Sequence, residues 1–168
     1  MTFKKLHVSL KPDQSAIIPY RIVEGEIQVL LITTRNKGKW IVPKGGIEKH
    51  LDSHESAEQE ALEEAGVEGR VSPVSIGCYR HGDADKDPIV EVFLMRVERE
   101  LDTWDEDEER TRRWVGLDEA YQHVDEDGLK SILDDAAVLI GLARRDESMR
   151  EGSRDPDGAP HPAIPGGE

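Results

Sequence analysis

The stretch that most constrains this chain runs from Asp52 to Gly66, where β-branched runs on either side give way to a helical pattern. Asp52 stands three residues before Glu55, the spacing of a capping box, and Gly66 suits the left-handed position that closes a helix. Residues three and four apart share a helix face. Ala57, Ala61, Leu62 and Ala65 therefore point to a core, and Glu60, Glu63 and Glu64 lie side by side on another face. Each like-charged pair costs about 0.2–0.5 kcal/mol. Glu63 and Glu64 also sit in the last turn, where the helix dipole disfavours an anion by about 0.3–1 kcal/mol. A Glu-rich helix ordinarily presents a solvated face. This one breaks two local rules at one spot, and such breaches gather where function compensates. A hard cation is the compensation to expect, since Mg²⁺ takes a few carboxylate oxygens plus waters and substrate phosphates.

The segments around this helix read mainly as strands. Residues 15–23 (SAIIPYRIV) and 26–34 (EIQVLLITT) are joined by Glu24-Gly25 and predict an antiparallel hairpin. Residues 39–42 (KWIV) form a short strand stopped by Pro43, and Lys44, Gly45 and Gly46 follow as a loop. Strands are expected over 71–79 and 89–97, with a polar loop at 81–87 between them, and again over 112–115. Residues 117–124 read as a helical turn or two. Residues 128–145 read as a longer helix with Leu129, Ile132, Leu133, Ala136, Leu139, Ile140 and Ala143 on one face. From about Met149 the chain turns to EGSRDPDGAPHPAIPGGE, which holds four of the nine prolines and no periodicity. One domain over residues 1–148 and a disordered tail over 149–168 are expected. The order of elements predicts an α/β (α+β) fold, a mixed β-sheet with helices on both faces.

Charge excludes more classes than it selects. The 168 residues hold 36 Asp plus Glu against 22 Lys plus Arg, a formal net charge of −14. A nucleic-acid polymer or an anionic membrane surface is repelled by such a chain. No run reaches the roughly 18 apolar residues that span a bilayer. The single cysteine, Cys78, makes no intramolecular disulfide and no thiolate zinc site, and a cytoplasmic setting is the default expectation. The six histidines show no metal-ligand spacing, and Trp40 and Trp114 read as core packing on strands. The acidic stretch 102–109 (DTWDEDEE) reads as a repelling surface rather than a second cation site.

The Pro43-Lys44-Gly45-Gly46 turn lets backbone approach a ligand without side-chain obstruction. The Gly45 carbonyl could join a metal shell, and Lys44 could meet a phosphate. Cations that could meet phosphate, Arg21, Arg35, Lys39 and Lys44, cluster around the first three strands.

Residues 45–67, GGIEKHLDSHESAEQEALEEAGV, resemble the Nudix box, a glycine loop leading to a helix that ends R-E-apolar-x-E-E-x-G-apolar. Gly45, Glu60, Ala61, Glu63, Glu64, Gly66 and Val67 match. Gln59 stands where the family usually has arginine, and Leu51 where it usually has its first glutamate. WIVPKGGIE and the distal Trp104, Arg112-Arg113-Trp114-Val115 segment are similar to the diphosphoinositol polyphosphate and diadenosine polyphosphate hydrolase branch. The resemblance implies a Nudix-type α/β/α sandwich and hydrolysis of a phosphoanhydride with Mg²⁺, or Mn²⁺ in its place. It implies Glu60, Glu64 and the Gly45 carbonyl as metal ligands, with Glu63 as a further ligand or general base. Arg35 and Arg113 fall near branch positions that contact phosphate. The implied partner is a small-molecule polyphosphate. The alternatives are a pyrophosphohydrolase of modified nucleoside triphosphates and a non-catalytic nucleotide sensor. The oligomeric state is left open.

Overall fold

The computed structural model describes residues 11–82 and 84–152. Strand β1 (Gln14–Val23) turns at Glu24-Gly25 into β2 (Glu26–Thr33), antiparallel with Tyr20 opposite Val29 and Val23 opposite Glu26. Both turn residues have positive φ, 51° and 81°, as a two-residue hairpin with right-handed twist requires. β3 (Trp40–Ile41) pairs with the end of β2. The glycine turn, expected as a loop, is a short strand β4 (Lys44–Gly46), with Gly45 opposite Ser15 and Lys44 opposite Ala16 of β1. Two glycine-free partners would pair more readily, so this strand exists because β1 supplies its hydrogen bonds.

Helix α1 (Ser53–Ala65) follows, capped as the sequence predicts. The Asp52 carboxylate accepts from the Glu55 N–H at 2.7 Å, and Gly66 closes the helix at φ 63°. The run expected as one strand over 71–79 is two, β5 (Val67–Val71) and β6 (Gly77–Arg80), broken around Pro73, which has no N–H to give a ladder. β5 and β6 both pair antiparallel with the long β7 (Ile89–Glu100), which runs parallel to β1. β8 (Arg112–Gly116) pairs with β2, then come α2 (Leu117–His123) and α3 (Asp127–Gly152). Among the described residues the mixed sheet has eight strands, and its main path is β3-β2-β1-β7-β5.

Alternation along the strands fills both faces. Ile17, Leu30, Ile32, Phe93 and Met95 pack with Ala57, Ala61 and Ala65 of α1. Their neighbours Ala16, Ile18, Val29, Leu31, Val92 and Leu94 point the other way and are buried too, as in a sheet covered on both sides. Small alanines let α1 lie close to the sheet. Leu62, expected in this core, is 37% exposed instead, because the core stripe is the alanines alone. The first turns of α3 bury Leu129, Ile132, Leu133 and Ala136. Leu139 and Ala143, expected on the same face, are exposed.

The compact unit holding the sheet ends at Ala137, and a second unit starts at Val138 within α3. That helix continues to Gly152, so residues 149–152 of the expected tail are helical, and the remainder, 153–168, lies outside the described residues. Among the described residues no helix is long and apolar enough to cross a membrane.

Candidate active site

The sheet holds α1 so that its last turns meet β4. Glu64 is 6% exposed, a buried carboxylate at the end of a helix. One oxygen accepts from the backbone N–H of Lys44 at 3.0 Å, and the other from Arg110 Nη2 at 3.0 Å. Burial pushes its pKa up, and Arg110 and the Lys44 N–H pull it down. Arg110 also donates to the Thr33 carbonyl at 2.9 Å and to Glu106 at 3.4 Å, so one buried guanidinium ties β2, α1 and the acidic loop together. Arg35 in turn pairs with Glu106 and, at 2.9 Å, with Glu109.

Glu60 lies one turn earlier and has no such cation. Among the described residues its carboxylate makes no ion pair or hydrogen bond. Burial first, then the charges of Glu64, Glu63 and Glu106, push its pKa up to about 7. It faces Gly45 so closely that a Cβ there would stand 2.1 Å from Glu60 Oε1. This contact is why position 45 is glycine. Gly45→Ala should drive the Glu60 carboxylate out of place and lower turnover about a hundredfold, with thermal unfolding changed far less. Equal losses of folding and turnover, read by melting curves beside rate assays, would count against it.

Glu63 is positioned by its own helix. Gln59 Nε2 donates to Glu63 Oε1 at 2.7 Å, a neutral hydrogen bond across one turn. The sequence suggests that Gln59, in place of the family's arginine, orients the glutamates by neutral hydrogen bonds. The geometry gives it one of them, Glu63, while Arg110 supplies the charge to another, Glu64.

The helix dipole conflict is also resolved here. α1 has no basic residue in its last turn. Arg112, from β8, donates to the carbonyls of Ala65 at 2.9 Å and Leu101 at 2.6 Å, and its guanidinium lies 3.9 Å from the centre of the Trp104 ring. The Trp104 indole N–H donates to the Glu64 carbonyl at 3.1 Å. The positive φ of Gly66 is needed as well as its small size, since a Cβ would meet Trp104 at 2.8 Å.

The expected phosphate-binding cations scatter. Lys44 is half-buried at the centre, its pKa lowered by burial against the opposing pull of Glu126 and Glu64. Lys39 pairs with Asp125 at 3.7 Å, and Arg113 pairs with Glu119 at 3.2 Å. Arg21 is five residues along β1 from Ala16, the partner of Lys44, a distance of about 17 Å. There it bonds Gln28 and covers the Trp114 ring at 4.2 Å. The structure thus brings Lys44 and Arg35 to the glutamates and leaves Arg21 and Arg113 in surface contacts.

Two central residues escaped the sequence reading. Arg110 follows the acidic run 102–109, read as a repelling surface, and belongs to no motif of its own. Glu106, taken with that surface, is 9% exposed and directed at the cations of the site. The spacing of Glu106 and Arg110, four apart, was the available signal, but it has meaning only in a helix, and this segment is a series of turns.

The donors suit a hard divalent cation. They are carboxylates and a backbone carbonyl, and Glu60 lacks a countercharge beside a glycine that leaves it room. Among the described residues no three acidic, histidine or cysteine side chains already converge as a cage. Arg110 engages Glu64 and Gln59 engages Glu63, so Glu60 is the open member of the donor set, and the Gly45 carbonyl, opposite Ser15 in the β1 ladder, joins it only by leaving that pairing.

Comparison with known proteins agrees with this geometry. Residues 12–136 match the NUDIX domain, nearly the whole of the sheet-bearing unit. Nudix hydrolase 21, chloroplastic, of Arabidopsis thaliana is 38% identical over 111 residues, 62% of this chain and 56% of that protein. This chain therefore spans little more than half that relative's length. Diphosphoinositol polyphosphate phosphohydrolase 3-alpha of Mus musculus is 32% identical over 102 residues, covering 59% of this chain and 61% of that one. The crystal structure of the C. elegans Ap4A hydrolase superposes with a TM-score of 0.65 at 20% identity, over 77% of this chain and 98% of the other, a likeness of fold. With the capped glutamate helix, the glycine strand against it and a domain match over most of the chain, this protein belongs to the Nudix family.

Proposed function

We propose that this chain is a Mg²⁺-dependent pyrophosphohydrolase that cleaves a phosphoanhydride bond in a diadenosine or diphosphoinositol polyphosphate. The observation that carries the reading is Glu60, a carboxylate held without a partner among the described residues, against Gly45 and near Glu63 and Glu64. Glu60, Glu64 and the Gly45 carbonyl would hold the cation, with Glu63 a further ligand or the general base. Bound there, Mg²⁺ supplies charge neutralisation at the phosphates and acidifies water. Mn²⁺ meets the same oxygen donors.

The chain's own groups do the rest. Gln59 occupies one oxygen of Glu63 and leaves the other to accept a proton from water. The Lys44 ammonium meets a phosphate oxygen, and Arg35 stands at the rim to take a second once Glu106 and Glu109 share it. Lys39 and Arg113 extend this set only if they leave Asp125 and Glu119. The partner is a small polyphosphate, since −14 repels a nucleic-acid polymer. The lone, exposed Cys78 suits a reducing cytoplasmic setting.

The test is a panel with Mg²⁺: Ap4A, Ap5A, ATP, 8-oxo-dGTP and a diphosphoinositol phosphate, with products resolved by anion exchange. Turnover of a dinucleoside or diphosphoinositol substrate above the others is the expected result. Preference for 8-oxo-dGTP would move the chain to nucleotide-pool cleaning. Binding with no turnover of anything would make it a sensor.

A further inference from the structure

Beneath α1 one hydroxyl is left over. Ser15 of β1 is 0% exposed, and its Oγ has no hydrogen-bond partner among the described residues. A buried hydroxyl in that state is costly, and an alanine would avoid the cost. The serine also interrupts a pattern, since Ile17, the next residue on that face of β1, packs against the alanines of α1. The two serines in the first turn of α1 are engaged. Ser53 donates to Glu91, and the Ser56 hydroxyl accepts the Glu48 N–H at 3.3 Å.

The sheet sets what Ser15 stands beside. Ser15 is paired with Gly45 of β4, in a register fixed on both sides. The Ile17 N–H donates to the Pro43 carbonyl at 3.0 Å, and the Ile47 N–H donates to the Asp13 carbonyl at 3.3 Å. Side chains of directly opposed residues leave a sheet on the same face, with their Cβ positions about 4.5–5.5 Å apart. At position 45 there is no Cβ, and Glu60 fills its place, with Oε1 2.1 Å and Oε2 3.0 Å from where that atom would be. An orphaned hydroxyl and a carboxylate without a partner among the described residues therefore stand on adjoining positions of one sheet face. One hydrogen bond spans that separation, directly or through a single water. Glu91, opposite Ser15 on β7, is the other neighbouring carboxylate, and Ser53 already serves it.

Resting on the hydrolase reading above, we infer that Ser15 is a positioning residue for Glu60, its hydroxyl donating to the Glu60 carboxylate and holding it where a cation is taken. Ser15 itself touches neither cation nor substrate. Glu63 and Glu64 each have a donor of this kind, Gln59 and Arg110. Ser15 supplies the one that Glu60 lacks. A hydrogen bond to an ionised carboxylate is about twice as strong as a neutral one, which offsets the cost of burying a hydroxyl in an otherwise apolar layer.

Mn²⁺ binding to the full chain, followed by the electron paramagnetic resonance of the free ion, tests this without any turnover. Ser15→Ala should weaken Mn²⁺ binding about tenfold, the worth of one hydrogen bond to a charged group. The metal-free variant should melt no lower than the wild type, because a buried hydroxyl without a partner has been removed. Turnover should follow the metal, lowered at limiting Mg²⁺ and restored at saturating Mg²⁺, with the KM for the polyphosphate unchanged. Glu91→Gln should leave Mn²⁺ affinity as it is, and the tenfold loss on Ser15→Ala should persist in that background. Unaltered Mn²⁺ affinity in Ser15→Ala overturns the inference, as does a lower metal-free melting temperature, which marks a packing role. A loss that vanishes in the Glu91→Gln background also overturns it, since Ser15 then acts on Glu91. A chain that binds Mn²⁺ as expected but hydrolyses nothing in the substrate panel defeats the hydrolase reading alone.

Discussion

Glu60→Gln should make the metal-free chain more stable above pH 7 and remove its Mg²⁺-dependent turnover, and one carboxylate causes both effects. In the folded chain Glu60 titrates at about 7, against 4.5 for an ordinary glutamate, because of burial and the charges of Glu64 and Glu63. A folded pKa above the unfolded one means that the native state binds the proton more tightly. Stability from this group is therefore complete below pH 4.5 and is lost as pH rises through 7. Glu60 is partly exposed, so solvent screening reduces the loss to roughly 1–2 kcal/mol. Glutamine keeps the shape and never ionises, so the melting temperature of the variant should vary less between pH 5 and 8 than that of the wild type. Added Mg²⁺ should raise the wild-type melting temperature at pH 8 and leave that of the variant nearly unchanged. Turnover should fall about a thousandfold, since a metal ion contributes several kcal/mol to transition-state charge stabilisation. A variant that melts like the wild type at every pH, or retains its rate, would show that Glu60 is an ordinary surface acid.

Such a conflict between stability and activity is visible in the sequence only as a breach of helix rules, and this marks how far the sequence reaches. Local signals carried α1 almost residue for residue. Asp52, Gly66 and the alanine stripe act within a few positions of one another, and so does the hairpin turn at Glu24-Gly25. Signals failed where a partner distant in sequence decides the outcome. β4 has poor strand formers and is a strand only because β1 offers Gln14 to Ala16 as its template. Leu62 looked like core because apolar residues usually are, yet three alanines already fill the space between α1 and the sheet. The glutamates were legible as a group, but their individual fates were not. Gln59 reaches Glu63 within the helix, whereas Arg110 reaches Glu64 across 46 positions. Arg110 follows the stretch 102–109 that the sequence presents as a repelling surface, and Arg112 opens the strand after it. Folding places that segment over the end of α1, where its cations answer the dipole and its Glu106 joins the cluster.

Arg110→Met should be the most damaging single change to the fold of this site, costing about 3–5 kcal/mol, the usual loss when one member of a buried ion pair is removed. The methionine fills most of the space, so the loss is electrostatic and not a cavity effect. Without the guanidinium, Glu64 loses its ion-pair partner, Glu106 keeps only Arg35, and Thr33 loses a donor for its carbonyl. The Glu64 pKa is raised by burial even with Arg110 present, so its removal should push that pKa higher still. The sign then gives the diagnostic: the variant should lose least stability at low pH, where Glu64 is protonated in both states, and most at neutral pH. The double variant Arg110→Met with Glu64→Gln should recover about half of the loss, because the orphaned charge is gone while Glu106 remains. Mg²⁺ should stabilise Arg110→Met more than the wild type, since Glu64, released from its guanidinium, is free to take a cation. Urea unfolding of the wild type, both single variants and the double variant at pH 5 and pH 8 closes this cycle. Additive losses at both pH values would mean that Arg110 acts through packing, and that the charge of Glu64 is balanced by the Lys44 N–H alone.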